Sequence, residues 1–418
     1  MAELANKKTF KSYIFLYSGQ LFSLLGSSIT QFVIIWWITI ETESTIILSI
    51  ASFVYILPMT LAMPIAGVIV DRYNRKKIIV IVDSLQAFTT LFIIMLFNLE
   101  ITEPFVIIIL NGLLGLFQGF HMPTVSAIVP TMVPKDNLSR INGVSFLFSG
   151  FIHTIGPIIA ATLLAFLPIK SILWIDPITF IIGFIPLILI KIPIVRSRKE
   201  TQIKRSSFIA EFKEGFQTLK LIPVVSMMLL ISMFVNFLLR PFQTLMPYFI
   251  YFIHSGSPSD LAIISAFISG GVLMGAIVTS IKKEWKHKIF IYFSGEAALF
   301  LPIVVFIFLP KGSFLLMGIA GAVYGMIMPI LNTIYLTLIQ TKVPVDKMGR
   351  ISSIDWAVSL AISPFGTLFA GFIAEFVGFS NLILYCAIAG VIIVIIIWRF
   401  TSVRYNHNQE KDELEIIY

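Results

Sequence analysis

The sequence predicts an all-α membrane protein of twelve transmembrane helices, arranged as two halves of six. Three observations carry this reading. Of the 418 residues, 57% are hydrophobic and only 12% are charged, whereas a soluble domain carries roughly 45–50% apolar and about 25% charged residues. Mean hydropathy is +0.95. The apolar residues fall in runs near the ~20 residues that a helix needs to cross a bilayer, and the basic residues gather on one side of those runs. Such a composition excludes a disordered chain, a collagen-like fibre and an ordinary soluble enzyme.

Taken in order, spans are predicted over 13–40, 45–70, 77–98, 104–128, 141–167, 171–191, 222–252, 260–281, 288–309, 313–339, 352–376 and 379–400. The alternative is ten or eleven spans with one short segment re-entrant. The first run follows Lys7, Lys8 and Lys11 and exceeds the apolar core of a signal peptide, so it is read as a retained span. The longest polar interruption, about 195–220, divides the chain. It gives an N-terminal half (1–191), a cytoplasmic linker (192–221), a C-terminal half (222–400) and a cytoplasmic tail (401–418). Within the linker, Phe208, Phe212, Phe216 and Leu219 recur near helical spacing. They predict an amphipathic helix over 207–219 lying on the membrane surface. The single cysteine, Cys386, sits in an apolar run, which excludes an intrachain disulfide and a thiolate metal cluster.

Orientation follows from the cations. Of 30 Lys and Arg residues, 27 flank the spans on one face; Lys170 and Lys311 lie on the other, and Arg240 lies within a span. The positive-inside rule makes the rich face, with both termini, cytoplasmic. The net charge of +8 is therefore a signature of topology and anionic lipid, and no nucleic-acid partner is expected.

An internal repeat supports the six-plus-six division. The stretch Thr131-Met-Val-Pro134-Lys-Asp136-Asn-Leu-Ser-Arg140-Ile141 recurs as Thr341-Lys-Val-Pro344-Val-Asp346-Lys-Met-Gly-Arg350-Ile351, with six identities in eleven positions at an offset of 210. Both copies lie between the fourth and fifth spans of their half. Parallel repeated halves are a recurring architecture of secondary transporters.

Between spans two and three stands Gly67-Val-Ile-Val-Asp71-Arg72-Tyr-Asn-Arg75-Lys76-Lys77. It resembles the G-x3-D-R-x-x-R-K-K signature of the major facilitator superfamily. Physically, Gly67 permits a close helix approach. Asp71 is one turn from Arg75 and can sit near a positive helix terminus. The resemblance implies that Gly67, Asp71, Arg72 and Arg75 form a conformational latch between spans two and eleven in the outward-open state. Ser352 and Asp355 resemble a capping box at the start of span eleven. The corresponding second-half loop keeps Gly275 and lacks the Asp-Arg pair.

In span five, Gly156-Pro157-Ile-Ile-Ala160-Ala161 is similar to the antiporter-associated G-P-x-x-G-G pattern. Small residues favour close packing, and Pro157 permits a kink. The opening Gly19-Gln20-Leu-Phe-Ser23-Leu-Leu-Gly26-Ser-Ser-Ile-Thr-Gln31 with Trp36-Trp37, Phe120-His121-Met-Pro123, Ile175-Asp176 and Glu214-Gly215 resemble the macrolide-efflux (Mef-type) branch of the drug:H⁺ antiporters. This resemblance implies a major-facilitator fold around a central cavity, in the cell membrane. It implies a secondary transporter exporting amphipathic or hydrophobic small molecules, of the drug or macrolide type, against inward proton flow by alternating access. A monomer without cofactor is favoured. Span four lacks the Arg that many proton antiporters of the superfamily carry there. An uptake transporter for a nutrient or metabolite, and a binding-only membrane receptor, are the alternatives.

Ionisable residues within spans are costly and mark functional candidates. Asp176, Glu296, Asp83 and His153 are the candidates for proton coupling. Each has a bland counterpart: Asp176 snorkels or caps, Asp83 serves the adjacent basic loop, and His153 is structural. Glu296 and Arg240 lie at similar depth in one half and form either an ion pair or separate cavity groups. Gln20, Gln31, Asn236, Arg240 and Asn332 are candidates to line a wet cavity. The sequence has no G-x4-G-K-[ST] loop, H-E-x-x-H or G-x-S-x-G, so no enzyme is expected. The charge asymmetry makes a direct prediction: cysteine probes near Glu41, Glu100, Lys170, His254 and Lys311 are labelled from outside intact cells. Probes near Arg75, Lys135, Arg198 and Lys283 are not, and outside labelling at Arg75 or Arg198 refutes the topology.

Overall fold

The computed structural model describes residues 6–193, 222–282, 285–343 and 348–401. Their regular elements are α1 (Lys7–Thr42), α2 (Thr45–Arg72), α3 (Arg75–Asn98), α4 (Pro104–Met132), α5 (Lys135–Leu164), the short α6 (Ile169–Ile172) and α7 (Ile175–Leu189). There follow α8 (Pro223–Tyr248, continued by a π-helical turn Phe249–Ile253), α9 (Pro258–Ile281), α10 (Lys288–Ala298), α11 (Phe300–Phe308), α12 (Phe314–Lys342), α13 (Met348–Val377) and α14 (Phe379–Phe400). Counting α6 with α7 and α10 with α11, eleven helices among the described residues are long and apolar enough to cross a membrane. The twelfth column, α13, carries the shorter apolar stretch Ile362–Val377. The helix expected over 207–219 lies outside the described residues. Two compact units result: Met1–Lys199 with Ile250–Phe252 and Gly256–Ala262, and Glu200–Phe249 with Ile253–Ser255 and Ile263–Tyr418.

Helices dominate because hydrocarbon offers the backbone no hydrogen-bond partner. Large apolar side chains such as Phe88, Ile109, Leu301 and Phe372 stand exposed, as lipid solvation requires. Several helices run past their apolar cores, which is where hydropathy placed their ends. Local caps decide the true limits. Asn6 accepts from the Lys8 and Thr9 backbone, closing a capping box that starts α1 six residues before the apolar run. The Thr9 hydroxyl reaches the Met132 carbonyl at 2.9 Å, satisfying an orphan acceptor at the end of α4.

Prolines break two spans. Pro177 has no N–H, and its ring disfavours a helical carbonyl at Leu173; that carbonyl accepts instead from the Asp176 N–H at 3.3 Å. The break separates α6 from α7. Pro302 stands in the same relation to Ala298, where α10 gives way to α11.

The repeat seen in the sequence is a repeat of backbone geometry. Val133 and Val343 both precede a proline, which drives them out of the helical region. Their φ/ψ values are −101/125 and −95/131, and their N–H groups close on Val129 and Ile339. At the same offset, Gly115 and Gly325 occupy matching contacts. A Cβ on Gly115 would run into the Tyr55 carbonyl of α2, and one on Gly325 into the Ile268 carbonyl of α9. Each unit thus holds a backbone-to-backbone contact between its second and fourth spans.

Gly67 does not play this role. A Cβ there would meet no atom within 4 Å, so no helix of its own unit packs closely on Gly67. The close contacts of α2 fall on residues 54–62, against the glycines of α4. Gly115→Val and Gly325→Val should therefore each destabilise the protein by about 1–3 kcal/mol through overpacking, read as a lower unfolding temperature in detergent. Gly67→Ala should leave that temperature within error; equal losses at all three positions contradict this packing.

Candidate functional site

The break at Pro177 leaves Asp176 in the first turn of α7, where the positive end of the helix dipole favours a carboxylate. Its burial does not end in a snorkel or a self-cap. Ser27 Oγ donates to Oδ1 at 2.9 Å, and Thr90 Oγ1 donates to Oδ2 at 2.6 Å. Residue 26 allows this: a Cβ on Gly26 would collide with Thr179 Oγ1 of α7, so only glycine lets α1 and α7 approach so closely. A small polar cavity surrounds the carboxyl, lined by Ser27, Thr30, Gln31, Tyr55, Gln86, Leu114 and Gln118. Its free space is on the order of one water molecule. Gln86 Nε2 donates to Gln118 Oε1 at 3.2 Å across it. Thr30 Oγ1 is buried without a hydrogen-bond partner.

A second polar cluster lies in the same unit, toward the Arg75 end of α3. His121 Nδ1 on α4 is 2.6 Å from Asp83 Oδ1. Gln20 Nε2 on α1 donates to Asp83 Oδ2 at 3.5 Å. Asp83, Gln86 and Thr90 fall at i, i+3 and i+7, one face of α3. That face runs from the His121 cluster to the Asp176 cluster.

The second unit holds different chemistry. Glu296 is buried on α10, one turn from Tyr292, whose hydroxyl interacts with it and lies 3.3 Å from the Met228 carbonyl. Tyr292 stacks on Tyr335, which donates to Asp355 at 2.6 Å. Arg240 donates to Gln243 at 3.3 Å, and Gln243 donates to the Tyr324 hydroxyl at 3.1 Å. No ion pair joins Arg240 to Glu296 among the described residues. Of the two arrangements open from the sequence, separate groups is the one adopted.

A family model described as Major Facilitator Superfamily matches residues 16–363, over this same helical frame. The chain belongs to the major facilitator superfamily. It is a multi-pass membrane transporter rather than an enzyme. The transporter is similar to macrolide efflux protein A of Streptococcus pyogenes, 26% identical over 382 residues, covering 91% of this chain and 93% of that protein. It is also similar to the multidrug efflux pump Tap of Mycolicibacterium fortuitum, 23% identical over 360 residues, covering 84% and 87%. Among solved structures, a bacterial homologue of the iron transporter ferroportin in an inward-facing state matches with a TM-score of 0.70 at 12% identity, covering 92% and 98%. That last likeness concerns the fold alone.

The transporter brings Asp176, Asp83, Gln20 and Gln31 into one unit's polar core. His153 is exposed on α5, outside both clusters. Asn236 bonds back to Ser232 of its own helix, and Asn332 is exposed. Gly156 packs on Ser28, and Pro157 lies inside α5. Arg72 ends α2 exposed and Arg75 opens α3 half-buried; the side chains of Asp71 and Ser352 lie outside those described. α13 already runs from Met348, so position 352 lies inside the helix and not at its start, and Asp355 accepts from Tyr335.

Sequence reasoning missed two partners. His121 pairs with Asp83, so Asp83 does not serve the basic loop. The available signal was depth, about 12 Å along α3 from Arg75 and about 16 Å along α4 from Met132. Lys76 Nζ donates to the Ile188 and Ile190 carbonyls, both at 2.7 Å, and so caps the end of α7. Lys76→Met should cost about 1–3 kcal/mol of stability and lower the unfolding temperature. Lys77→Met, at an exposed position beside it, should not; equal effects refute the cap.

Proposed function

We propose that the transporter exports amphipathic or hydrophobic small molecules of the drug or macrolide type, driven by inward proton movement through alternating access. It acts in the cell membrane as a monomer with both termini cytoplasmic. The observation that carries the reading is the Asp176 carboxyl, buried beside a polar cavity and held by two hydroxyls from neighbouring helices. Hydroxyls both donate and accept. Ser27 and Thr90 can therefore satisfy a carboxylate by donating and a carboxylic acid by accepting. A site satisfied in both charge states can take up and release a proton without leaving a buried group unpaired, whose cost is about 1–3 kcal/mol or more. The efflux names of two relatives that span most of the chain support the direction of transport.

Glu296 is the second candidate. Its neighbour Tyr292 also carries a hydroxyl, and Arg240 is occupied elsewhere. In proteoliposomes loaded with ethidium, Asp176→Asn should lower pH-gradient-driven transport at least tenfold while exchange at equal pH continues. Glu296→Gln should have a smaller effect. Gradient dependence retained in both variants and in the double variant places the coupling group elsewhere.

A further inference from the structure

Asp83 and His121 are two titratable groups in direct contact inside a unit whose other buried acid, Asp176, already has its own partners. The contact is 2.6 Å, with the His121 side chain 15% exposed and that of Asp83 5% exposed. Two ionisable groups this far from water are retained only where they are paired. The pair is not otherwise saturated. Gln20 places its Nε2 on Asp83, yet its Oε1 is buried with no hydrogen-bond partner. Thr30 Oγ1, about 15 Å further along α1, is buried and unpartnered beside Asp176. Two orphaned acceptors thus flank the two ends of one polar face, and Gln86 and Gln118 bridge the interval between them. Each of these two unmet groups is what a bound water satisfies.

The surrounding elements add little charge. Of the titratable groups on the helices packed about the pair, Asp83 is the one that acts electrostatically on His121, and Asp83 also acts on Asp176. Gln20 faces the pair from α1 as a neutral amide. Lys76, on the same helix as Asp83, is turned to the α7 carbonyls. Tyr55 of α2 faces Asp176 across the cavity, so Asp176 feels Asp83 and this tyrosine while His121 feels Asp83.

We infer that Asp83 and His121 form a second proton-binding site, the station on the Arg75 side of the proton route whose other station is Asp176. This rests on the proton-coupled reading above. The step balances simply. Protonated Asp176 gives its proton to water in the cavity. The neutral His121 imidazole takes a proton relayed by water along the Gln86–Gln118 face and becomes an imidazolium held by the Asp83 carboxylate. It then releases that proton to the aqueous face beyond. Asp176 is left ionised on its two hydroxyl donors, ready to be protonated again from the opposite side.

The test uses full-length protein in proteoliposomes with ethidium as the probe. His121→Gln and Asp83→Asn should each keep exchange at equal pH within twofold of wild type and lose at least nine-tenths of the stimulation by an imposed pH gradient. The double variant should be no worse than either. Stimulation within twofold of wild type in both single variants overturns the second site. A wild type that the gradient does not stimulate overturns the coupling reading instead. A second measurement covers variants that fail to fold. His153, His254, His287 and His407 are replaced by Gln, and the ¹⁵N signals of the one remaining histidine, His121, are followed with pH. One titration, with a midpoint that moves on Asp176→Asn, supports the two-station route. No titration between about pH 5 and 9, or a midpoint unmoved by Asp176→Asn, overturns it.

Discussion

Inside a bilayer there is no water to complete a hydrogen bond, and this one constraint shapes the transporter at every level. It explains the helical frame. It explains why the ends of helices are finished by specific donors, Thr9 at the Met132 carbonyl and Lys76 at the end of α7. It also explains why the buried acids come with partners attached. Asp176 has two hydroxyls and Asp83 a histidine and an amide, and the half-buried Asp355 has a tyrosine. His153 and Asn332 instead face outward.

The two units share a scaffold and differ in chemistry. Gly115 and Gly325 bring backbones together at matching positions, and Val133 and Val343 end matching helices before a proline. On that repeated frame the first unit places Asp176 and three glutamines around a small cavity, with the His121–Asp83 pair in a second cluster. The second places stacked tyrosines beside Glu296 and a separate Arg240–Gln243–Tyr324 chain. Helix packing depends on residue size at a few contacts, so it is preserved by glycine alone. The polar content depends on side-chain identity at other positions and is free to diverge between repeats.

Backbone breaks tie the scaffold to the site. Without Pro177, α6 and α7 would continue as one helix, and Asp176 would lose its place at a positive helix end. Without Gly26, α7 could not come close enough to α1 for Ser27 to reach the carboxyl. The acid is positioned by residues that carry no charge and touch no proton.

The sequence by itself determined what depends on composition and order along the chain. Length of apolar runs set the twelve columns, the 131–141 and 341–351 copies set the repeat, and the Gly67–Lys77 loop announced the family. These are one-dimensional properties, because a bilayer selects spans by local hydropathy. It also marked Asp176, Asp83 and Glu296, since an ionisable residue in an apolar run stands out wherever it points. Tertiary structure decided the rest. Whether Glu296 meets Arg240, whether Gly67 touches a neighbour, and that His121 finds Asp83 across 38 positions of sequence all depend on how helices rotate about their axes. Rotation is set by a few glycine contacts and proline breaks between helices that are distant in sequence, and no local pattern records it.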